Sequence, residues 1–216
     1  MRSRTVLVVD DHQLVRTTLV LALRAQGFDA NYVSATRKED ILIEAREHVP
    51  GLVLLDLDLG SEVAGGEQLV RPLRAAGWSV LIVTAGHDAL ALARSVADGA
   101  RGWVHKSESF EHLLRAVVAA AEGREVLSVA ARAEFVRFHQ CHAGRKQDLT
   151  KRFDRLSLRE REVLDRLAEG RQAVVIAGEF GVSLATVRAH IRSVLTKLQV
   201  GSQLAAVALV NEASRS

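Results

Sequence analysis

The chain of 216 residues is 48% hydrophobic and 25% charged, the composition of one or two ordinary globular domains. No apolar run approaches the roughly 20 residues that cross a bilayer, and the apolar stretch near the start is too short for a secretory signal. Both observations argue against a membrane or a secreted protein. The single cysteine, Cys141, excludes an internal disulfide, so we expect a cytoplasmic protein with no membrane partner.

The net charge of +3 is unevenly distributed along the chain. Residues 1–123 contain 13 Lys/Arg and 16 Asp/Glu, a net charge of −3, whereas residues 124–216 contain 16 and 10, a net charge of +6. A basic C-terminal part favours a polyanionic partner for that part alone, either nucleic acid or anionic lipid.

Five apolar runs, each followed by a segment of helical periodicity, dominate the first half of the chain. This alternation predicts a doubly wound parallel sheet with helices on both faces. The run Leu52–Leu55 is apolar throughout, as expected of a strand buried on both faces. The predicted strands are 5–9, 28–34, 52–55, 80–84 and 102–104, and the predicted helices are 12–26, 36–49, 66–76 (bent or broken by Pro72), 88–98 and 109–122.

Polar residues follow four of these five strands. They are Asp10 and Asp11 after the first, Asp56 after the third, Thr84 at the end of the fourth and Lys106 after the fifth. Because the carboxyl ends of parallel strands share one edge, these side chains are expected in one crevice. Three carboxylates repel one another, and a hard divalent cation such as Mg²⁺ relieves that repulsion. Lys106 adds a positive charge and Thr84 a hydroxyl donor, so Asp56 is a candidate nucleophile that takes up phosphate as an acyl phosphate.

Each of these residues also has a simpler interpretation. Asp11 suits the N-cap of a helix, Thr84 suits a turn at the end of a strand, and Lys106 suits a solvated loop. The predicted site would be absent only if all three simpler interpretations were correct at the same time. We therefore favour the site.

The combination of Asp10-Asp11, Asp56, Thr84-Ala85 and Lys106 resembles the receiver domain of two-component response regulators, over about residues 4–122. The resemblance implies a flavodoxin-like domain that accepts phosphate from a histidine kinase and needs Mg²⁺. It further implies that Asp56 is the phosphoacceptor, that Asp10, Asp11, Asp56 and the backbone carbonyl of Asp58 bind the metal, that Thr84 and Lys106 contact the phosphoryl group, and that Trp103 is the aromatic switch residue.

Three features depart from the family pattern. Gly60 stands where the family usually has proline, the loop that leads to Gly65 is one residue longer, and Asp58 is an unusual acid two residues after Asp56. The extra carboxylate could orient an attacking water or repel the phosphoryl group, and either effect would alter the dephosphorylation rate.

Residues 124–151 are assigned as the joint between two domains. The segment 126–139 is predicted to be helical, whereas 140–154 is polar and basic, which is typical of a linker. His139, Cys141 and His142 are conceivable metal ligands, but no second Cys/His cluster accompanies them at a suitable spacing. A mobile linker is therefore favoured.

The last 60 or so residues show helical periodicity throughout. Ser157 to Glu160 forms a capping box before one helix, a short helix covers about 172–179, Ser183 caps the next helix, and Ser202 caps the last. Two helices joined by a Gly-containing turn, the second with a basic outer face, predict a helix-turn-helix. The alternative is a helical bundle whose surface charges are merely solvated.

The segments Leu156–Leu164, Thr186–His190 and Lys197-Leu198 resemble the LuxR-type DNA-binding domain, over about residues 152–214. The resemblance implies double-stranded DNA as the partner. Arg188, Ala189 and Arg192 would face the bases, and Thr186 and Lys197 would contact phosphates. By analogy with other helix-turn-helix proteins, binding is expected from a homodimer on paired half-sites.

Together these features resemble a NarL/FixJ-type response regulator, a transcription factor and not an enzyme. We expect an α/β class protein, with a flavodoxin-like five-stranded parallel receiver domain at 1–123, a joint at 124–151 and an all-α four-helix LuxR-type helix-turn-helix domain at 152–216. One alternative is a constitutive DNA binder whose receiver serves dimerisation or ligand sensing. A less favoured alternative is a phosphoaspartate enzyme of the haloacid dehalogenase type, which has its acidic pair downstream of the lysine, whereas here the pair lies upstream.

Overall fold

The computed structural model describes residues 5–35, 37–60 and 65–215. The chain forms two compact units, Met1–His139 and Gln140–Ser216. The predicted extra loop residue falls at 61–64, outside the described residues.

The first unit contains a five-stranded parallel sheet, as predicted. Its strands are β1 (Thr5–Val9), β2 (Asp29–Tyr32), β3 (Leu52–Leu55), β4 (Ser79–Thr84) and β5 (Trp103–His105), in the order β2-β1-β3-β4-β5. The side chains of β1 and β3 are buried along their whole length, which explains why these strands are continuously apolar. The register pairs Val9 with Leu55 and Leu55 with Ile82, so that β1 and β3 end at the same level and β4 continues to Thr84.

Five helices cover the two faces of this sheet. They are α1 (Gln13–Ala25), α2 (Lys38–Arg46), α3 (Val70–Ala75), α4 (Ala89–Ala97) and α5 (Phe110–Ala121), and a 3-10 turn, Gly66–Leu69, precedes α3. Two hydrophobic clusters result, one on each side of the sheet. The predicted helix 66–76 is a 3-10 turn up to Leu69 that continues directly into α3, and Pro72 does not break it, because it occupies the first turn of α3, where its missing N–H is tolerated.

Two glycines shape the loop after β3. Gly60 has a φ of +76°, which proline, fixed near −65°, cannot adopt; the family's usual residue is therefore incompatible with this backbone. A Cβ atom on Gly66 would overlap the carbonyl oxygen of Asp56, so only glycine permits the loop to return this closely to the end of β3.

The segment after α5 differs from the prediction. A single helix, α6 (Val129–Asp154), includes all of 140–154, so the prediction of an irregular conformation there is wrong. The segment is polar but contains no proline, and polar residues such as Arg, Lys and Gln are good helix formers. An ion pair between Asp148 and Arg152, one helical turn apart at 2.7 Å, adds to its helicity.

The second unit contains the four predicted helices after α6. They are α7 (Leu158–Ala168), α8 (Ala173–Phe180), α9 (Leu184–Leu198) and α10 (Gln203–Arg215). The end of α8 is set by Gly181 in the left-handed conformation, and the Ser183 hydroxyl accepts the Thr186 N–H at the start of α9. One face of α9 supplies Val187, Ile191, Val194 and Leu198 to the core.

A buried carboxylate links α7 to α9. Glu160 closes the predicted capping box with Ser157 and also accepts hydrogen bonds from Lys197 Nζ and Ser193 Oγ, each at 2.6 Å. Burial alone would raise the pKa of Glu160, but these donors together lower it to about 2. The carboxylate is therefore a fully satisfied structural anion.

None of the described helices is, by itself, both long and apolar enough to cross a membrane. Taken together, α8 and α9 would be long and apolar enough to cross a membrane, although the chain bends by 114° between them. This match rests on length and composition only.

The Glu160 network predicts a specific loss of stability in acid. The pKa of Glu160 is about 2 in the folded chain and near 4.5 in the unfolded chain, so the unfolded chain binds the proton more readily between these values. The stabilisation is complete above the unfolded pKa and is lost as the pH falls from there toward the folded value. We expect Glu160→Gln to lower the free energy of opening of α9 by on the order of 3 kcal/mol at neutral pH, and by much less near pH 3.

Hydrogen exchange of the α9 amides measures this free energy. The exposed neighbour Glu162, whose side chain is 55% accessible, provides the matched control, and Glu162→Gln should change little at any pH. A difference between Glu160→Gln and the parent that stays constant from neutral pH to about pH 3 would contradict the assignment.

Candidate functional site

Two buried carboxylates and one ammonium group meet at the carboxyl edge of the sheet. Asp10 follows β1, Asp56 follows β3, and their exposed fractions are 5% and 2%. Lys106, which follows β5, places its Nζ 2.6 Å from Asp10 Oδ2 and 2.6 Å from Asp56 Oδ2. The other oxygen of Asp56, Oδ1, accepts the Asp58 N–H at 3.2 Å. Asp10 and Asp56 are 46 positions apart in the sequence and Asp56 and Lys106 are 50 apart, yet the three side chains form one cluster.

Asp11 and His12 complete this cluster. Asp10, Asp11, His12 and Asp56 each offer a ligand atom, and these atoms all lie within 4.8 Å of one another. His12 Nδ1 lies 2.6 Å from Asp11 Oδ1, and the His12 N–H donates to Asp10 Oδ1 at 2.9 Å. The sequence analysis missed His12, although its position directly after the acidic pair could have indicated it.

The charge of the cluster suits a divalent cation. Burial is the main influence on the pKa of Asp56 and raises it, against the opposing effect of Lys106. The carboxylates raise the pKa of Lys106 despite its burial, so the lysine stays protonated. One ammonium group cannot neutralise three carboxylates, and the carboxylate oxygens are the ligands that Mg²⁺ prefers. The residues present therefore fit a magnesium ion held by Asp10, Asp11 and Asp56.

The remaining predicted residues of this site lie around the cluster. Thr84 is buried at the end of β4, and its Oγ1 accepts the Gly86 N–H at 3.1 Å, which leaves its own hydrogen available for donation. Trp103 is half-buried and packs against the core of one sheet face. The side chain of Asp58 is exposed, while its backbone carbonyl remains a predicted metal ligand.

A second candidate site is the outer face of α9. Arg188, Ala189 and Arg192 are exposed, and their spacing of one and three residues puts them on one side of the helix. Among the residues that the structure describes, no ion pair involves the guanidinium of Arg188 or of Arg192. Two unneutralised cations on an exposed helix face are available to contact nucleic acid.

The two predicted phosphate contacts are placed differently. Thr186 is exposed, but its hydroxyl lies 2.8 Å from Ser183 Oγ in the cap of α9. Lys197 is only 35% exposed and is held by Glu160 at 2.6 Å. Its role as a DNA contact stays a prediction, and the ion pair gives it a structural role that the sequence analysis did not foresee.

Comparisons with known proteins give a family match for each half of the chain. The family model of the response regulator receiver domain matches residues 6–118, and the model of bacterial regulatory proteins of the luxR family matches residues 154–210. The chain is 31% identical over 209 residues to the probable transcriptional regulatory protein NarL of Mycobacterium tuberculosis, with 94% of this chain and 91% of that protein covered. It is 29% identical over 212 residues to the nitrate/nitrite response regulator protein NarL of Escherichia coli K12, with coverage of 96% and 95%.

Solved structures give the same fold. The RcsB response regulator of Salmonella typhimurium matches with a TM-score of 0.51 at 19% identity, over 98% of this chain and 99% of that one. A structure of the RcsB–DNA complex matches with a TM-score of 0.50 at 20% identity, over 97% and 98%. Two family models match its two domains, and its relatives match it along nearly their full length. The chain therefore belongs to the two-component response regulators that carry a receiver domain and a LuxR-type DNA-binding domain.

Proposed function

We propose that the protein is a transcription factor controlled by phosphorylation of Asp56, which a histidine kinase carries out in the presence of Mg²⁺. It binds double-stranded DNA through α9, as a homodimer on paired half-sites, and acts in the cytoplasm. Residues 1–123 are the phosphoacceptor domain, 124–151 the joint and 152–216 the DNA-binding domain. The observation that carries the proposal is the buried Asp56 carboxylate, 2.6 Å from Lys106 and beside Asp10.

The residues around Asp56 divide the work of phosphoryl transfer. A carboxylate oxygen of Asp56 attacks the phosphorus atom, and the donor's imidazole leaves. Lys106 is positioned to compensate the negative charge that the phosphoryl oxygens bring in, and the Thr84 hydroxyl is free to donate a hydrogen bond to one of them. When bound, Mg²⁺ neutralises further charge on the phosphoryl group, and Asp10, Asp11 and Asp56 would hold it.

Two observations bear on the alternatives. Asp58 and Gly60 depart from the family pattern beside the acceptor, and these departures favour the alternative of a receiver that is not phosphorylated. Gly60 is accounted for by its positive φ, and Asp58 donates its backbone N–H to the Asp56 carboxylate while its side chain is exposed, so neither obstructs the acceptor. The family is one of transcription regulators, and the absence of an enzymatic activity is part of the proposal.

We expect Asp56 to be the sole phosphoacceptor, because it alone follows the central strand β3, beside the Asp10/Asp11 pair and opposite Lys106. Mass spectrometry after incubation with acetyl phosphate and Mg²⁺ should show one added phosphate on the parent and none on Asp56→Asn. Asp58→Asn, which removes an exposed carboxylate two residues away, is the control and should still be modified. A phosphate that persists on Asp56→Asn would disprove the assignment.

Asp58 should alter the lifetime of the phosphorylated state. Its carboxylate lies in the segment that borders the acceptor, where it can orient an attacking water or repel the phosphoryl group. We expect Asp58→Asn to change the half-life of phospho-Asp56, measured by the loss of radiolabelled phosphate, by about twofold or more. Glu39, an exposed acid on α2, serves as the control in Glu39→Gln. An unchanged half-life would mean that the Asp58 side chain serves only as a solvated charge.

Arg188 should determine the base preference of α9. If its guanidinium makes a bidentate contact with a base, Arg188→Ala costs about 1–3 kcal/mol on the preferred site and much less on unrelated DNA. Arg171→Ala removes the same charge outside α9 and should weaken the binding of both duplexes by the same amount. Fluorescence anisotropy with the two duplexes at several salt concentrations separates the two effects. Equal losses on both duplexes for Arg188→Ala would exclude a base contact.

A further inference from the structure

His105 is the last residue of β5 and directly precedes Lys106, yet the sequence analysis gave it no role. Its Nδ1 lies 2.6 Å from Ser107 Oγ and accepts the Ser107 backbone N–H at 3.1 Å. Its Nε2 lies 3.0 Å from the carbonyl oxygen of Ala85. A backbone N–H can only donate, so Nδ1 carries no hydrogen. Nε2 must then carry it and donate to Ala85.

This side chain adds a link between two chain segments just beyond the end of the sheet. The hydrogen-bond ladder between β4 and β5 reaches Lys106 N–H, which donates to the Thr84 carbonyl at 2.8 Å. Beyond this point the two chains separate, and the next carbonyl along β4, that of Ala85, is met by the His105 ring. The ring therefore ties the loop that begins after Thr84 to the strand that leads into Lys106.

We propose that His105 is a positioning residue for phosphoryl binding. By fixing Ala85 to β5, it holds Thr84 and Lys106 at a set separation, so that the hydroxyl and the ammonium group meet the same phosphoryl group on Asp56. Without this tie the Thr84 loop is free to move away from Lys106, and the two contacts form less often together. The inference rests on the proposed function, because it assigns His105 to the same site.

A ring contact offers a competing explanation. The centroids of the His87 and His105 rings are 4.6 Å apart with an interplanar angle of 37°, so His105 could act by packing instead of by its hydrogen bond.

Three variants separate these roles. His105→Gln places an amide nitrogen where Nε2 lies and keeps the donor to Ala85. Asparagine is one methylene shorter than glutamine, so the side chain of His105→Asn reaches only the position of Nδ1 and cannot donate to the Ala85 carbonyl. His87→Gln removes the ring contact alone.

Binding of beryllium trifluoride, a phosphoryl mimic, in the presence of Mg²⁺ is the direct test, measured by isothermal titration calorimetry on the full chain. We expect the parent, His105→Gln and His87→Gln to bind within about twofold of one another, and His105→Asn to bind about three- to tenfold more weakly, the usual effect of one hydrogen bond. Equal or tighter binding by His105→Asn would overturn the inference, as would His105→Gln binding as weakly as His105→Asn. If the parent itself does not bind, the proposed function fails, and this inference with it.

Nuclear magnetic resonance of the histidine rings in the unmodified protein gives a second measurement that needs no variant. Long-range proton–nitrogen correlations should identify His105 as the neutral tautomer with its hydrogen on Nε2. A hydrogen on Nδ1 would overturn the inference, because Nε2 could then donate nothing to Ala85.

Discussion

The sharing of one ammonium group by two buried carboxylates is the interaction on which the first unit's chemistry depends. Lys106 follows β5, whereas Asp56 follows β3, two strands away in the sheet. Strands about 4.8 Å apart put these chain segments roughly 10 Å from each other, and the lysine and aspartate side chains together bridge that distance. The sheet order also makes β1 and β3 neighbours, which brings Asp10 to Asp56 at the point where the strand order reverses, the usual place for a binding crevice.

A carboxylate and a lysine also form a close pair in the second unit, with a different consequence. Glu160 accepts hydrogen bonds from Lys197, Ser193 and the Ser157 backbone, so its charge is satisfied and its pKa is lowered to about 2. Asp56 sits beside other carboxylates, and burial raises its pKa. The first arrangement stabilises a fold, and the second leaves surplus negative charge that a divalent cation can neutralise. Which of the two a Lys–carboxylate pair becomes depends on the number of donors around it.

The cations of α9 also differ in whether a carboxylate already neutralises them. Arg188 and Arg192 lie on its exposed face, opposite Val187, Ile191 and Val194. Lys197 lies closer to the buried side and is held by Glu160. A positive charge contributes to binding of a polyanion only to the extent that it is not already neutralised. The two arginines are therefore the stronger candidates for DNA contacts, and Lys197 contributes first to the stability of the helix pair that presents them.

The sequence by itself determined the strands, most of the helices and the composition of the carboxylate–lysine cluster, because these depend on local apolar periodicity and on the rule that the carboxyl ends of parallel strands lie at one edge of the sheet. Leu52–Leu55 is buried at every position, and Asp10, Asp56 and Lys106 meet as expected. The polar segment 140–154 was wrongly predicted to be irregular, since composition alone does not distinguish a solvated helix from a loop. Only the tertiary structure decided that Lys197 is paired with Glu160 and that the His105 ring reaches Ala85. Those partners are 37 and 20 positions away in sequence, and no local periodicity records which distant donor or acceptor a side chain will meet once the chain is packed.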